Sequence, residues 1–334
     1  MALSTKVPGG LVTLADIKAA AQRVRGVALK TPLLPFPDLS EELRGEVRLK
    51  CESLQRTGAF KIRGAYNFLS QLTEEELAAG VITYSSGNHA QATALAARLR
   101  GARAVVVMPT TAPSVKVEGA KRLGAEVHLE GTLSHHRQAR AEEMASEEGL
   151  TIVPPYDHPW IIAGQGTVGL EIISEWPEVD TVLVPVGGGG LSSGVSAAVK
   201  ALRPEVRFVG VEPAGAARMT EALRAGGPVT LKEVNTVADG LRTVRAGDHT
   251  FRHAREHFDE VVVVPDEAIL RAAALLLNRR RLVVEVSGAI ALGALLHGVV
   301  DPVGKRLAVV LSGGNLDPAL LETLAQGGSM GSPA

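Results

Sequence analysis

The stretch Val182-Leu183-Val184-Pro185-Val186-Gly187-Gly188-Gly189-Gly190-Leu191-Ser192-Ser193-Gly194 decides the fold. Its apolar start is the run of a strand buried on both faces, which is typical of a parallel sheet covered by helices. The four glycines that follow let successive backbone N–H groups converge, and the helix that begins after them adds positive potential. A tight turn is the alternative, but a turn seldom needs four glycines. The stretch therefore predicts a phosphate-binding corner between a strand and a helix.

The same alternation of apolar strands and helical patterns extends in both directions from this corner. It predicts an α/β protein. The predicted strands are 47–51, 81–84, 104–108, 126–129, 151–153, 181–186, 207–211, 260–264 and 306–311, and the predicted helices between them include 90–100, 114–123 and 133–148.

A second informative segment is Cys51-Glu52-Ser53-Leu54-Gln55-Arg56-Thr57-Gly58-Ala59-Phe60-Lys61-Ile62-Arg63-Gly64-Ala65. Lys61 follows Phe60 at the start of an amphipathic helix, where its amine is close to the backbone and a ring. Desolvation disfavours the ammonium form, so such an amine can become a nucleophile for a carbonyl cofactor near neutral pH. Most lysines near a helix start are merely solvated, so this segment alone leaves both interpretations open.

Composition excludes several classes of protein. The chain has 334 residues, of which 46% are hydrophobic, and its 35 basic and 36 acidic residues leave a net charge of -1. This balance gives no footprint for nucleic acid, and no apolar run reaches membrane-spanning length. The first ten residues lack the apolar core of a secretory signal. The single cysteine, Cys51, excludes an internal disulfide and fits a reducing compartment, so we expect a soluble cytoplasmic protein.

Two further corners follow strands. Ser85-Ser86-Gly87-Asn88-His89 comes after strand 81–84, and Ser312-Gly313-Gly314-Asn315 comes after strand 306–311. Open α/β sheets bind ligands at the carboxyl ends of their strands, and these hydroxyl, amide and N–H groups could hold a carboxylate and a ring oxygen. For the first corner, an ordinary polar helix cap is the alternative.

The segment Gly164-Gln165-Gly166-Thr167-Val168-Gly169 matches the dinucleotide-binding pattern. A poor strand precedes it, and no acidic residue ends a second strand about twenty positions later, as that pattern requires. We interpret it as a helix entry near the active site.

Together these motifs resemble the fold-type-II pyridoxal-phosphate enzymes, in the branch of threonine dehydratase and serine racemase. The resemblance runs from about Leu14 to Leu324. It implies a tryptophan synthase β-like fold, with two open, twisted, mostly parallel sheets flanked by helices and the cofactor between the domains. The large domain would be 1–72 plus 153–325, the small domain 73–152, and 326–334 a disordered tail.

The resemblance also implies a role for each motif residue. Lys61 would carry pyridoxal 5'-phosphate as a Schiff base, Phe60 would pack on the pyridine ring, and Ser312 would face the ring nitrogen. Asn88 would hydrogen-bond the ring hydroxyl. The phosphate would be held by Gly187, Gly188, Gly189 and Gly190, and the substrate carboxylate would be surrounded by Ser85, Ser86, Asn88 and His89.

The implied reaction is β-elimination of L-threonine, and of L-serine, to 2-oxobutanoate or pyruvate and ammonia. A neutral hydroxyl at the ring nitrogen makes the ring a weaker electron sink than an acidic partner would, and prompt loss of the β-hydroxyl relieves that weakness. Lys61 would take the Cα proton. The alternative is a serine racemase with side elimination, in which Ser86 delivers a proton to the opposite face of Cα.

Two readings from other classes also remain open. A nicotinamide-dependent oxidoreductase would use residues 164–169, and a non-catalytic binding protein would have kept only the fold. Lys61, Asn88 and Ser312 are all present, which argues against the second.

The family often binds a divalent cation through a glutamate, a backbone carbonyl and an aspartate. Glu212 and Ala216 match the first two, but Arg218 stands where the aspartate would be. The arginine could replace the charge of the cation by pairing with Glu212, so a cation is doubtful here. Glu285 resembles an acidic position near the cofactor ring whose role the sequence leaves open.

His249, His253 and His257 lie four residues apart and would line one helical face. Neighbouring charges favour a solvated surface over a metal site. His135 and His136 are interpreted as surface residues too.

The resemblance further implies a homodimer or homotetramer in amino-acid metabolism, including isoleucine biosynthesis. About twenty residues follow Ser312, too few for the effector domain of regulated threonine deaminases, so we expect no feedback through such a domain.

Overall fold

The structure is a computed structural model that describes residues 10–85, 87–112, 114–132 and 134–328. It contains two separate sheets, each covered by helices on both faces. The α/β class and the two mostly parallel sheets that the sequence predicts are confirmed. Among the described residues no helix is both long and apolar enough to cross a membrane.

The larger sheet has six strands in the order β1-β2-β10-β7-β8-β9. Only β1 runs antiparallel, against β2, and the other neighbours are parallel. The strands are β1 (Leu33–Pro35), β2 (Glu46–Cys51), β7 (Thr181–Pro185), β8 (Arg207–Pro213), β9 (Glu260–Val264) and β10 (Arg306–Leu311). This order places β10 and β7 at the centre, so the two glycine-rich corners that follow them lie side by side.

The smaller sheet has four parallel strands in the order β5-β4-β3-β6. They are β3 (Val81–Tyr84), β4 (Ala104–Met108), β5 (Glu126–Leu129) and β6 (Thr151–Ile152). All four lie within the segment 73–152, which the sequence predicts to be a small domain. The exact division of the chain into domains stays a prediction.

Helices connect the strands and cover the sheets. They are α1 (Leu14–Arg23), α2 (Pro37–Leu43), α3 (Lys61–Leu69), α4 (Glu74–Ala79), α5 (Asn88–Arg100), α6 (Ser114–Arg122), α7 (Ser134–Glu148), α8 (Pro159–Glu175), α9 (Gly190–Leu202), α10 (Arg218–Ala225), α11 (Asp248–His257), α12 (Asp266–Arg280), α13 (Val286–Leu296) and α14 (Leu321–Ala325). Short 3₁₀ segments lie at Glu52–Leu54, Arg56–Gly58, Ala214–Ala216, Asp239–Leu241 and Pro318–Leu320.

Burial on both faces explains why the central strands read as unbroken apolar runs. In β7, Val182 and Val184 pack towards α8 and α9, whereas Leu183 packs towards α12 and α13. The side chains of β10 alternate in the same way. Because successive side chains of a strand point to opposite faces, a strand covered on both sides needs apolar residues at every position.

The predicted strands and helices agree with the structure to within two or three residues. Of the tail predicted to be disordered, 326–328 close helix α14 through hydrogen bonds such as the one from Gly328 N to Thr323 O at 2.8 Å. These three residues belong to the folded part, and 329–334 lie outside the described residues.

The glycines of 164–169 serve helix packing. The predicted helix entry there is wrong, because α8 already begins at Pro159 and the segment lies within it. A Cβ on Gly164 would lie 2.6 Å from the Arg63 carbonyl oxygen, and one on Gly169 would lie 2.8 Å from that of Val195. Since Arg63 lies in α3 and Val195 in α9, the glycines let three helices approach backbone to backbone. No strand leads into the segment, so the structure gives it none of the context of a dinucleotide-binding turn.

A buried ion cluster fixes α3 against α8. Arg63 donates to Glu52 from Nε at 2.8 Å and to Glu171 from Nη1 at 2.6 Å, and Nη1 also donates to Thr167 at 3.1 Å. The Arg63 and Glu52 side chains are almost completely buried, so the loss of either partner would leave an uncompensated charge. The helix that begins at Lys61 is therefore held in one position.

The helix contact predicts a steric effect at Gly194, in α9. A Cβ there would lie 2.3 Å from the Ile162 carbonyl oxygen, a backbone atom that cannot move alone. We expect Gly194→Ala to destabilise the fold by about 1–3 kcal/mol, measured as the shift of the urea unfolding transition. Gly119→Ala is the matched control in α6, where the new Cβ would meet the movable side chain of Gln91 at 3.1 Å. Equal midpoints for the two variants would contradict this account.

Candidate active site

Lys61 lies where the two sheets meet. The segment before it pairs with the corner after β10, through an antiparallel bridge between Ala59 and Gly313 and a bond from Phe60 N to Ser312 O at 3.2 Å. Helix α3 then begins at Lys61. The backbone therefore places Lys61, the Phe60 ring and Ser312 in one site. The resemblance described above likewise assigns all three to one cofactor.

The Lys61 amine is held by a carbonyl and not by a carboxylate. Its Nζ donates to Pro155 O at 2.6 Å. Desolvation lowers the pKa of Lys61 to about 8, opposed by the charge of Glu285, which raises it. By contrast, Lys50 pairs with Glu171 at 2.7 Å and Lys116 pairs with Asp239. Of these three little-exposed lysines, Lys61 is the one best suited to react as a free amine near neutral pH.

The tetraglycine turn, residues 187–190, joins β7 to α9. The first N–H groups of a helix have no intrahelical acceptor, so this turn presents donors and positive potential to an anion. Two side chains support the turn from outside. Thr250 Oγ1 donates to Gly188 O at 2.7 Å, and the Tyr156 ring lies so close that a Cβ on Gly188 would come within 2.4 Å of it.

An amide and carboxyl network joins the corners after β3 and β10 to the segment before Lys61. Asn88 Nδ2 donates to Glu285 Oε1 at 2.6 Å, and Asn315 Nδ2 donates to Asn88 Oδ1 at 2.8 Å and to Thr57 O at 2.7 Å. A Cβ on Gly313 would lie 2.0 Å from Glu285 Oε1, so only glycine leaves room for this network. Glu285, which the sequence analysis left without a role, orients Asn88.

Glu285 is poised between its two ionisation states. Burial, with the nearby charge of Asp239, raises its pKa to about 7, while Lys116, Asn88 and Lys61 act in the opposite direction. The site thus contains an amine whose pKa is lowered and a carboxyl whose pKa is raised, and such displaced pairs are typical of active sites.

The predicted carboxylate-binding residues lie on the corner after β3. Ser85 Oγ accepts from Gly87 N at 3.3 Å. His89 is buried, and burial lowers its pKa to about 3, so the ring is neutral; its Nε2 faces Val153 O at 3.1 Å and carries the hydrogen. Ser86 lies outside the described residues. The carboxylate-binding roles stay predictions.

The proposed cation position does not fit a metal ion. The Arg218 guanidinium donates to Ala216 O and, at 3.2 Å, to Val186 O, and its Nε lies 3.9 Å from Glu212 Oε1. Glu212 already accepts from the backbone of Met219 and from Thr220. A positive group therefore occupies the space between the two matching ligands. No cluster of three or more His, Cys, Asp or Glu side chains suited to a metal occurs in the part of the chain that the structure describes.

The three histidines of α11 correct one expectation. His253 is almost fully buried and accepts from Val12 N at 2.9 Å, and its Nδ1 faces His249 O at 2.7 Å. The predicted solvated face is wrong for this residue, because it joins the N-terminal segment to α11. His135 and His136 are exposed, as predicted.

The residues present fit pyridoxal phosphate. A lysine amine with a lowered pKa, an anion-binding turn, a buried serine hydroxyl and an oriented asparagine amide meet at one site, matching the carbonyl, phosphate, ring nitrogen and ring hydroxyl of that cofactor. Together with two parallel sheets whose glycine-rich corners converge, they define an α/β enzyme that holds a phosphorylated carbonyl cofactor.

Comparison with known proteins identifies the family. The family model described as pyridoxal-phosphate dependent enzyme matches residues 24–313. The chain belongs to the pyridoxal-phosphate dependent enzymes, of fold type II as the resemblance implies.

Relatives with two different named activities are similar to the chain. An L-threonine ammonia-lyase of Thermotoga maritima is 42% identical over 318 residues, covering 95% of this chain and 79% of that protein. A serine racemase of Schizosaccharomyces pombe is 39% identical and covers 92% and 95%. The structure of maize serine racemase superposes with a TM-score of 0.90 at 37% identity, covering 94% of this chain and 97% of that one.

Sequence reasoning missed several groups of the site. The Pro155 carbonyl and the Tyr156 ring follow β6 at the carboxyl end of a strand, which is a signal that could have pointed to them. Thr250 carries no such signal.

The Lys61–Glu285 interaction predicts a shift in the pKa of the amine. An ionised Glu285 favours the ammonium form, so Glu285→Gln should lower the pKa of Lys61 below its value of about 8. Reductive methylation of the cofactor-free protein across a pH series, quantified on the Lys61 peptide, gives the midpoint of reactivity. The matched control is Glu147→Gln on exposed α7. A midpoint that stays in place or rises in Glu285→Gln would contradict the electrostatic coupling.

The position of Arg218 predicts that divalent cations do not change the thermal stability of the protein. The thermal unfolding midpoint of the wild type should stay the same in EDTA, Mg²⁺ and Ca²⁺. Arg218→Asp restores the missing carboxylate, so cations should raise the midpoint of that variant, since a ligand that binds only the folded state stabilises it. Arg224→Asp, exposed on the same helix, is the control. A wild-type midpoint that falls in EDTA and recovers with either cation would contradict the assignment.

Proposed function

We propose that this protein catalyses the elimination of water from L-threonine, and from L-serine, to an enamine that water hydrolyses to 2-oxobutanoate or pyruvate and ammonia. The observation that carries the proposal is the backbone pairing of the Lys61 segment with Ser312, in which Phe60 N donates to Ser312 O at 3.2 Å. It brings the reactive amine and a neutral hydroxyl into one site. The similarity to the L-threonine ammonia-lyase of Thermotoga maritima supports the same reaction.

Bound pyridoxal phosphate supplies a carbonyl carbon and an electron-withdrawing ring that acidify the Cα–H bond of an amino acid. Lys61 is the residue of this chain that accepts the Cα proton in this proposal. With a pKa of about 8, its amine is present as a free base in part at neutral pH and can accept the Cα proton. The Pro155 carbonyl then stabilises the ammonium form through the hydrogen bond at 2.6 Å.

The neutral partner at the ring nitrogen favours elimination. Ser312 is a hydroxyl, almost fully buried, at the position that the resemblance assigns to that nitrogen. A hydroxyl there would leave the ring nitrogen of a bound cofactor largely unprotonated and so make the ring a weaker electron sink than an acidic partner would. Such a ring would favour a substrate with a β-hydroxyl, since breaking the Cα–H and Cβ–O bonds releases a proton and hydroxide, together water, and leaves no charge at Cα.

The remaining groups bind and orient. The tetraglycine turn holds the phosphate, and Asn88, aligned by Glu285 and Asn315, holds the ring hydroxyl. Ser85, Ser86 and His89 surround the substrate carboxylate in this proposal. Each of these contacts fixes the Cα–H bond relative to Lys61, and such positioning is a large part of catalysis.

Racemisation of serine is the second candidate, supported by the similarity to the serine racemase of Schizosaccharomyces pombe. It requires proton delivery to the face of Cα opposite Lys61, which in this proposal is the role of Ser86. We further propose a homodimer or homotetramer in the cytoplasm that serves amino-acid metabolism, including isoleucine biosynthesis.

The proposed reaction predicts 2-oxo acid release. Protein loaded with pyridoxal phosphate should release 2-oxobutanoate from L-threonine, and Lys61→Ala should lose at least about 10³-fold of this activity because both the covalent link and the proton acceptor are removed. A coupled lactate dehydrogenase assay measures the product.

Two controls complete this test. Lys50→Ala removes a buried lysine outside the site and shows how much activity is lost through folding alone. Chiral analysis of recovered serine detects racemisation. Release of 2-oxo acid at the wild-type rate by Lys61→Ala would overturn the proposal, and D-serine formed without 2-oxo acid would favour the racemase.

A further inference from the structure

A partly buried ion pair joins the two sheets beside the proposed active site. Lys116 lies on α6, which covers the smaller sheet, and its side chain is only 8% exposed. Its Nζ contacts the carboxylate of Asp239, in the 3₁₀ segment Asp239–Leu241 between β8 and β9 of the larger sheet. The two residues are 123 positions apart in the sequence. Their contact therefore depends on how the two sheets are placed relative to each other, and not on a local turn.

Asp239 is itself fixed to the cofactor side of the site. Its Oδ1 accepts from Gly240 N at 2.8 Å and from Ser287 Oγ at 3.1 Å. Ser287 lies in the first turn of α13, two residues after Glu285, the group that orients Asn88. If Lys116 moved, Asp239 therefore could not move with it without disturbing residues at the proposed cofactor site.

The other contact of Lys116 is with the carboxylate-binding corner. The backbone of Gly87 packs against the lysine stem, and a Cβ on Gly87 would lie 3.0 Å from Lys116 Cδ and 3.4 Å from its Nζ. Gly87 lies within the corner 85–89, to which the proposed function assigns the substrate carboxylate. The lysine thus touches that corner with its stem and the larger sheet with its charge.

The charged groups around Lys116 and Asp239 are consistent with a structural role for this ion pair. Glu285 is the titratable group of the cofactor site that interacts with both members of the pair. Burial raises the pKa of Asp239, but the Lys116 charge and the hydrogen bonds outweigh it and hold that pKa below its usual range. Asp239 is therefore ionised at neutral pH, and the pair cancels its own charge beside the site.

We propose that the Lys116–Asp239 ion pair positions the backbone at Gly87 for binding of the substrate carboxylate by joining the two sheets across the active site. Lys116 and Asp239 are positioning residues, because neither is assigned a contact with the reacting atoms. The proposal rests on the proposed function only in taking an amino acid as the ligand. Its alternative is that the Lys116 ammonium itself binds the carboxylate, with Asp239 as a bystander.

Binding of L-alanine tests the pair without turnover. L-Alanine has the amine and carboxylate of the substrate but no β-leaving group, and its binding changes the visible absorbance of the bound cofactor. We expect Lys116→Met and Asp239→Asn each to weaken L-alanine binding by about tenfold, equivalent to about 1.4 kcal/mol. With L-threonine, KM should rise by a similar factor while kcat changes less, because the corner is displaced and Lys61 is not.

The double variant separates the pair from its alternative. If the two side chains act only through each other, Lys116→Met combined with Asp239→Asn should bind L-alanine about as weakly as either single variant. Lys116→Arg, which retains the charge, should recover part of the affinity. Lys121→Met, on the exposed face of the same helix, should bind like the wild type.

Three results would overturn the proposal: wild-type affinity in Lys116→Met, wild-type affinity in Asp239→Asn with a loss in Lys116→Met, or a lower thermal midpoint in both variants with unchanged affinity. The second would assign the carboxylate to Lys116 directly. Failure of the proposed function is recognised separately, because the wild type would then bind L-alanine but release no 2-oxo acid from L-threonine.

Discussion

Keeping the Lys61 amine out of water without giving it a full ion pair is the constraint on which the site depends. A carboxylate at hydrogen-bond distance, such as Glu171 at 2.7 Å from Lys50, would favour the ammonium form of the Lys61 amine. A carbonyl partner, Pro155 O, orients the amine without fixing its charge. Glu285 provides only a partial counter-charge, since its own pKa is raised to about 7 and its Oε1 accepts from Asn88.

The fold meets this constraint with backbone contacts more than with side chains. Parallel strands place the corners after β7 and β10 next to each other, and the bridge between Ala59 and Gly313 attaches the Lys61 segment to the second corner. The glycines of α8 bring α3 close enough to be fixed by its neighbours. Rigid elements hold catalytic groups more accurately than loops do, so a site built on these contacts is already organised for its ligand.

Much of this could be predicted from the sequence because the signals are local. A strand buried on both faces leaves an apolar run, a phosphate corner leaves glycines, and the resemblance pointed to Lys61, Asn88 and Ser312. The role of Glu285 was not visible, since its partner Asn88 is 197 positions away. The glycines of 164–169 match the nucleotide pattern for a physical reason, because close helix packing and a nucleotide turn both require the absence of a Cβ. Likewise, His253 is buried by an N-terminal segment that its own helix does not predict.

We propose that Lys61, among the little-exposed lysines, is the one that carries the cofactor. Borohydride reduction of protein loaded with pyridoxal phosphate fixes the cofactor covalently to its lysine, and peptide mapping by mass spectrometry then locates it. The account predicts one modified peptide, containing Lys61, at one cofactor per chain. Modification of Lys50 or Lys116 in its place would contradict this assignment, because a carboxylate contacts each of those amines.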